Sequence, residues 1–432
     1  MKIRILLVLL ATSAGLADNQ PMFRGGLDHT GVYAGTAPRR EPKLKWRFAT
    51  GGQVISSPAI ANGMVYVGST DQQLYALDLE TGQPKWKFAT ESSISSSPAV
   101  AGGIVYFASY DGMFYAVDAA TGKLKWKFET DGERRFAHKN LHGIHPSGEA
   151  MPDPWDFFLS SPAVFNGSVY FGSGDNYIYS LDAATGTLKW KFRTGDVVHA
   201  SPAVADDTVY VGSWDSMLYA IEAATGKGKW RFQAGVDPQT GNQQGFQSSP
   251  AVSAGVVYVG CRDSNVYAID AKTGTRKWAV SNNGSWVLPS PAVHKGKIYF
   301  GTSDTGLLRI VDAATGADVA TIDAKFPIYS SPAIANGTLY AGTFGGKLLA
   351  LDLKTHEILW QFQTEASKRN APAFTKPDGK IDFDKMMNRN FYDDMVLGVA
   401  RYLTAGSILS SPAIDNGVIY FGSTDGNVYA LM

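Results

Sequence analysis

Along most of this chain, short apolar runs of alternating pattern recur between turn residues. From Ser56 to Phe88 the runs are Val65-Tyr66-Val67, Leu74-Tyr75-Ala76-Leu77 and Trp86-Lys87-Phe88. Their period of two and their branched and aromatic residues predict β-strands, not helices. Asn62-Gly63 predicts a hairpin between the first and second strands. Turns at Thr70-Asp71 and at Asp78-x-x-Thr81-Gly82 predict two further reversals. The segment reads as four antiparallel strands.

The segment repeats. A Ser-Pro-Ala pattern returns with its proline at Pro58, Pro98, Pro162, Pro202, Pro250, Pro291, Pro332 and Pro412. Four strands per copy at a period of about 40 residues are the signature of propeller blades. The last copy stops after its third strand, at Val428-Tyr429-Ala430-Leu431-Met432, and the missing fourth strand stands at Leu44-Lys45-Trp46-Arg47-Phe48. The expected fold is all-β: an eight-bladed β-propeller of four-stranded antiparallel blades, closed by the N-terminal strand. Closure removes the edges that an open array would expose. The expected organisation is a signal peptide over 1–17, an N-terminal segment over 18–40 and one propeller domain over 41–432.

Charge narrows the picture. The 39 basic residues balance 39 acidic ones, which leaves no basic surplus for nucleic acid. Lys2 and Arg4 precede an apolar run from Ile5 to Leu10 and small residues up to Ala17, the pattern of a cleavable signal. The run is too short to span a membrane. Cys261 is the only cysteine, so neither an intrachain disulfide nor a lipid-bearing cysteine after the signal is expected. The expected location is periplasmic or secreted, with no transmembrane segment and no lipid anchor. Cys261 itself is expected to be a buried small residue.

At Ala76-x-Asp78-x-x-Thr81-Gly82-x-x-x-Trp86 the chain resembles the tryptophan-docking motif of quinoprotein-superfamily (PQQ-repeat) propellers. The motif returns from Ala116 to Trp126 and from Ala268 to Trp278. Looser copies have Glu222 for the aspartate and His356 for the glycine, and the sixth blade has Ala320 for the tryptophan. The resemblance implies a tryptophan that locks each blade to its neighbour. It extends to the propeller of quinoprotein dehydrogenases and to the propeller scaffold of the outer-membrane barrel-assembly machinery. The dehydrogenase branch implies pyrroloquinoline quinone with Ca²⁺, but the adjacent cysteines that flank the quinone in many members are absent here. The repeat alone does not establish a cofactor.

The proline spacings are 40, 64, 40, 48, 41, 41 and 80. The surplus always falls between a fourth strand and the next first strand, near 131–156, 235–245 and 366–406. These insertions share one propeller face, where loops on a rigid scaffold concentrate function. The first carries Arg134, Arg135, His138, His142 and His145. If that stretch is helical, the three histidines share one face and offer a Zn²⁺ or Cu²⁺ site. The arginine pair suits a carboxylate or phosphate. The amide-rich second insertion suits a polar ligand or sugar. In the third, Asp384 to Tyr402 suits a helix packed as a lid, or a surface for a partner.

Repeat positions supply finer candidates. Three residues before each proline, polar departures single out His199, Gln247 and Tyr329 as lining the channel mouth. Before the turn aspartate, Tyr110, Trp214, Arg262 and Phe344 are candidates for a ligand-facing rim. The aspartates themselves, such as Asp71 and Asp215, read as turn formers. No nucleophile elbow, P-loop or zinc-protease motif is present, and Asp393-Asp394 carries no assignable acid–base role. The first expectation is a scaffold that binds a protein or polar ligand, including a carbohydrate, on the decorated face. The alternatives are a quinone-dependent oxidoreductase and a metal- or histidine-assisted enzyme acting on a polar substrate.

Overall fold

The structure, a computed structural model, describes residues 21–236, 245–387 and 390–432. The signal-peptide expectation lies outside these residues. Eight four-stranded antiparallel sheets follow one another around an axis. Blade 1 runs through Ala59–Ala61, Met64–Gly68, Gln73–Asp78 and Pro84–Ala89. Blades 2 to 7 start at Ala99, Ala163, Ala203, Ala251, Ala292 and Ala333. Blade 8 combines Ala413–Asp415, Val418–Gly422 and Asn427–Leu431 with Leu44–Ala49, which pairs antiparallel to the final strand. The N-terminal strand therefore closes the ring, as expected.

Burial follows position in the blade. Second and third strands lie between neighbouring blades, so Val65, Tyr66, Val67, Leu74, Ala76 and Leu77 are all fully buried. Outer strands keep the alternation, with Lys85 and Lys87 outward and Trp86 and Phe88 half-buried. Period two in sequence thus survives only where one face meets solvent.

Each docking tryptophan spans to the next blade. Trp86 Nε1 donates to Ala119 O (3.0 Å) and Trp126 Nε1 to Ala183 O (3.1 Å). The ring covers the glycine of the neighbour's Thr-Gly turn. A Cβ on Gly122, whose φ is +70°, would lie 2.6 Å from Trp86 Cε3. His356 takes this left-handed position (φ 60°) in blade 7, where Ala320 of blade 6 leaves no ring above it.

The Ser-Ser-Pro-Ala segments hold the inner ring. The first serine bonds within its blade, as Ser56 Oγ accepting from Gly68 N (3.1 Å). The second reaches the next blade. Ser57 N donates to Ser97 Oγ (3.0 Å), Ser97 N to Ser161 Oγ (3.0 Å), and Ser411 N to Ser57 Oγ (2.9 Å) closes the circle. Turn aspartates act as expected: Asp71 accepts from Gly51 N (2.7 Å) and Tyr75 OH (2.7 Å). Cys261 is buried, as expected.

The N-terminal segment does more than lead into the closing strand. It follows the inner strands away from the decorated face, accepting Val204 N at Leu27 O (2.7 Å), Val252 N at Asp28 O (2.8 Å), Val293 N at Thr30 O (2.9 Å) and Ile334 N at Gly31 O (2.8 Å). Arg24, 3% exposed, donates to the carbonyls of Pro332 and Pro291. His29 Nδ1 lies 3.2 Å from Pro250 O. Burial, and then the charge of Arg24, lower the His29 pKa to about 3, so the imidazole is neutral. The far mouth of the channel is thereby plugged.

Candidate functional site

The decorated face is covered by a cap built from the first and third insertions. The first is not helical. Its strands Ala137–Lys139 and Ala150–Pro152 form a hairpin around a short turn at Leu141–Gly143. Among its described residues the third forms three α-helices: α1 (Glu365–Asn370), α2 (Phe383–Met386) and α3 (Tyr392–Leu403). Helix α3 overlaps the stretch from Asp384 to Tyr402 expected to form a lid helix, and runs one residue beyond it. The two insertions are stitched together: His145 N donates to Asn390 O (3.0 Å), Tyr392 N to His145 O (2.9 Å) and Tyr392 OH to Pro152 O (2.7 Å).

The absence of a helix separates the three histidines. His138 is exposed on the hairpin, its ring 6.1 Å from Phe136. His142 is turned inward, 5.0 Å from the Trp286 ring. His145 is exposed at the seam with the third insertion. The expectation of a shared helix face is therefore corrected: Asn140 and His142 adopt left-handed backbone, which breaks any helix there. Among the described residues, no group of three or more His, Cys, Asp or Glu is arranged to hold a metal ion.

Beneath the cap, apolar side chains fill the mouth of the channel. Trp155 of the first insertion and Phe157 just after it lie 6.0 and 5.9 Å from Phe344. Tyr402 of α3 stacks on Phe344 at 4.5 Å. Tyr329 meets the same ring edge-on at 4.6 Å, and Phe136 stacks on Trp214 at 4.4 Å. Trp214, Arg262 and Phe344 are fully buried. The expected ligand-facing rim is thus corrected to an anchoring surface for the cap, because a ring of large side chains buries more apolar area under an insertion than beside water.

Two buried ionic clusters tie the first insertion to the blades. His199 of blade 4 has Nδ1 2.8 Å from Asp156 Oδ1 and Nε2 2.9 Å from Glu133 Oε1. Burial alone lowers its pKa; the charge and hydrogen bond of Asp156, then those of Glu133, outweigh burial and push it up to about 10. The imidazole is therefore a cation with both N–H groups donating. Tyr110 packs edge-on to it at 6.5 Å, with Arg135 5.9 Å above the phenol ring. Burial first, and then Asp156, drive the Tyr110 pKa upward.

In the second cluster, Arg262 of blade 5 lies between the rings of Trp214 (4.5 Å) and Trp286 (4.3 Å). Its Nη1 donates to the buried Asp153. Burial would raise the Asp153 pKa, but the charges of Arg262 and then His142 hold it well below the usual carboxylate range. His142 Nε2 lies 3.3 Å from Asp153 but off the hydrogen-bonding line. Gln247 Nε2 donates to Trp155 O (2.9 Å).

His199, Gln247 and Tyr329 converge on the axis. With the second serines of all eight blades, and Phe23 below, they line a cavity of about 30 Å³. That is room for one or two waters. The arginine pair diverges: Arg134 donates to Asn176 Oδ1 (2.8 Å) and Asp196 Oδ1 (3.1 Å), while Arg135 faces Tyr110. Residues 237–244 of the amide-rich second insertion, on which the polar-ligand expectation rested, lie outside the described residues.

Glu133, Asp153, Asp156, Arg24 and His29 were not singled out from sequence. One signal pointed to the carboxylates. His199 and Arg262 are charged departures at repeat positions, and such groups need partners when buried. Asp153 and Asp156, three residues apart in the adjoining insertion, supply them.

The described residues do not fit pyrroloquinoline quinone on the axis. Ligand sites span roughly 300–1,000 Å³, whereas the axial space is about 30 Å³. Trp155, Phe157, Tyr329, Phe344 and Tyr402 occupy the mouth above it as one packed cluster.

Comparison with known proteins places the chain. The family model described as outer membrane protein assembly factor BamB matches residues 39–144, 154–284 and 262–387. Among solved structures, BamB from Moraxella catarrhalis aligns with a TM-score of 0.65 at 14% identity, covering 91% of this chain and 98% of that one. Quinohemoprotein alcohol dehydrogenase from Comamonas testosteroni aligns at 0.70 and 15% identity, covering 95% and 80%. A europium-containing methanol dehydrogenase aligns at 0.66 and 16% identity, covering 95% and 97%. At these identities the structural likeness establishes the fold alone. No curated protein matches by sequence. No helix among the described residues is long and apolar enough to cross a membrane.

Proposed function

Because the chain belongs to the family described as outer membrane protein assembly factor BamB, we propose that it is an exported scaffold that holds a partner protein against its capped face. The observation that carries this reading is how the face is built. Its apolar side chains are spent inward, sealing the axis, while Phe391, Val396 and Leu397 stay outward on and beside α3, at 53%, 37% and 55% exposure. Exposed apolar side chains on a packed cap suit a protein surface better than a small molecule. Export rests on the Lys2, Arg4 and Ile5–Leu10 pattern at the N-terminus. A quinone-dependent oxidation finds no support in the filled axis.

The test is site-specific photocrosslinking in cells that make the protein natively, with the probe at Leu397 and a control probe at Leu124 on the outer wall. A discrete adduct from position 397, absent from 124, supports the scaffold reading. Equal adducts at both positions, or none at 397, overturn it.

A further inference from the structure

Beside the cap, the third insertion arches over the junction of blades 6 and 7 and leaves an open groove of about 490 Å³. Its volume falls in the range of about 300–1,000 Å³ typical of ligand sites. Phe326, Pro372 and Pro377 give it an apolar lining, and Lys347, Lys376 and Lys385 also line it. No carboxylate lines it.

Of these three lysines, Lys385 has an acidic partner. Asp382 pairs with Lys385 at 3.6 Å, and Asp323 is taken by Lys325 (3.0 Å) and Lys380 (3.4 Å). Asp378 turns its Oδ1 back to Lys380 N (3.0 Å). Lys347 and Lys376 make no ion pair within 4 Å among the described residues. In a chain of zero net charge, Lys347 and Lys376 are thus the two cations left without an ion pair beside the apolar lining.

We propose that this groove binds an acidic peptide segment, carrying at least one large apolar side chain, from the partner protein. The inference rests on the scaffold reading and names the partner's chemistry. Carboxylates would meet Lys347 and Lys376, and the apolar side chain would lie against Phe326 and the two prolines. Charge complementarity of this kind selects partners and speeds their encounter more than it adds affinity. A basic or neutral segment would leave both ammonium groups without counter-charge and gain only the apolar contact.

The experiment is fluorescence anisotropy of the full chain with labelled Glu/Asp-rich decapeptides bearing a central Leu or Phe. A matching set with lysine in place of the acids is the charge control. The expected result is saturable binding by the acidic set, weakened at least about tenfold by the Lys347→Glu/Lys376→Glu double substitution and by raising salt from 0.05 to 0.5 M. Lys87→Glu/Lys127→Glu, on the outer wall away from the groove, is expected to leave binding unchanged. All variants are checked for an unaltered melting temperature; if the groove double variant loses its fold, Lys376→Ala alone replaces it.

No saturable binding by the acidic set, or equal loss from the outer-wall variant, overturns the proposal. The two readings fail separately. Crosslinking at Leu397 with unchanged binding by the groove variants sinks the groove alone. Groove-dependent peptide binding with no adduct at Leu397 sinks the scaffold reading of the capped face alone.

Discussion

His199 Nδ1 lies 2.8 Å from Asp156 Oδ1, so a histidine of the fourth blade is ion-paired, in a fully buried setting, to the end of the first insertion. Its other nitrogen is held by Glu133 from the start of that insertion. One imidazole thus fastens both ends of a 24-residue loop. Replacing it by alanine leaves two carboxylates buried without their cation. The expected cost of His199→Ala is about 3–5 kcal/mol in urea unfolding, with faster amide exchange over residues 131–156 than elsewhere.

The same contact sets a pH dependence. The folded pKa of His199, about 10, lies above the unfolded value of 6.5. Its contribution is therefore complete below pH 6.5, declines as pH rises from there, and is lost above about 10. Stability is expected to fall across pH 7–10, and His199→Gln is expected to flatten that slope. An unchanged slope in the variant would assign the pH dependence to other groups.

Arg262 and Asp153 form the second tie. Asp153→Leu or Arg262→Met alone leaves one buried charge unpaired, with an expected loss of about 3–5 kcal/mol each. The double variant is expected to recover most of that loss, giving a coupling energy of about 2 kcal/mol or more in a double-mutant cycle. Additive losses would mean that each residue acts through separate contacts.

Gly122 tests the docking geometry. Its φ is +70° and its missing Cβ faces the Trp86 ring. Gly122→Ala is expected to destabilise by about 2–4 kcal/mol through left-handed strain and overpacking. His356→Ala, at the equivalent turn with no ring above it, is expected to stay within about 1 kcal/mol of the parent chain.

The filled axis predicts indifference to quinone. A ligand that binds only the folded state raises the melting temperature. Titration with pyrroloquinoline quinone and Ca²⁺ is expected to give no saturable shift. A shift at micromolar quinone would mean that the cap moves aside and would return oxidation to consideration.

By itself the sequence determined the blades. The Ser-Pro-Ala prolines counted them, the split between Leu44–Phe48 and the final copy showed how the ring closes, and the motif from Ala76 to Trp86 predicted inter-blade docking. These features are legible because strand periodicity, turn residues and repeat spacing are local, and each copy confirms the others. His199, Gln247 and Tyr329 were also legible as inward-facing departures from a repeat position.

Only the tertiary structure decided what the decorated face does with its residues. Trp214, Arg262 and Phe344 looked like an open rim and proved to be anchors, because Phe136, Asp153 and Tyr402 reach them from insertions that carry no repeat signal. His138, His142 and His145 looked like one face and diverged, because a hairpin replaced the helix. Arg24 finds its partners at Pro291 and Pro332, 267 and 308 residues away. Ring closure brings such distant positions together, and no spacing along the chain encodes which of them meet.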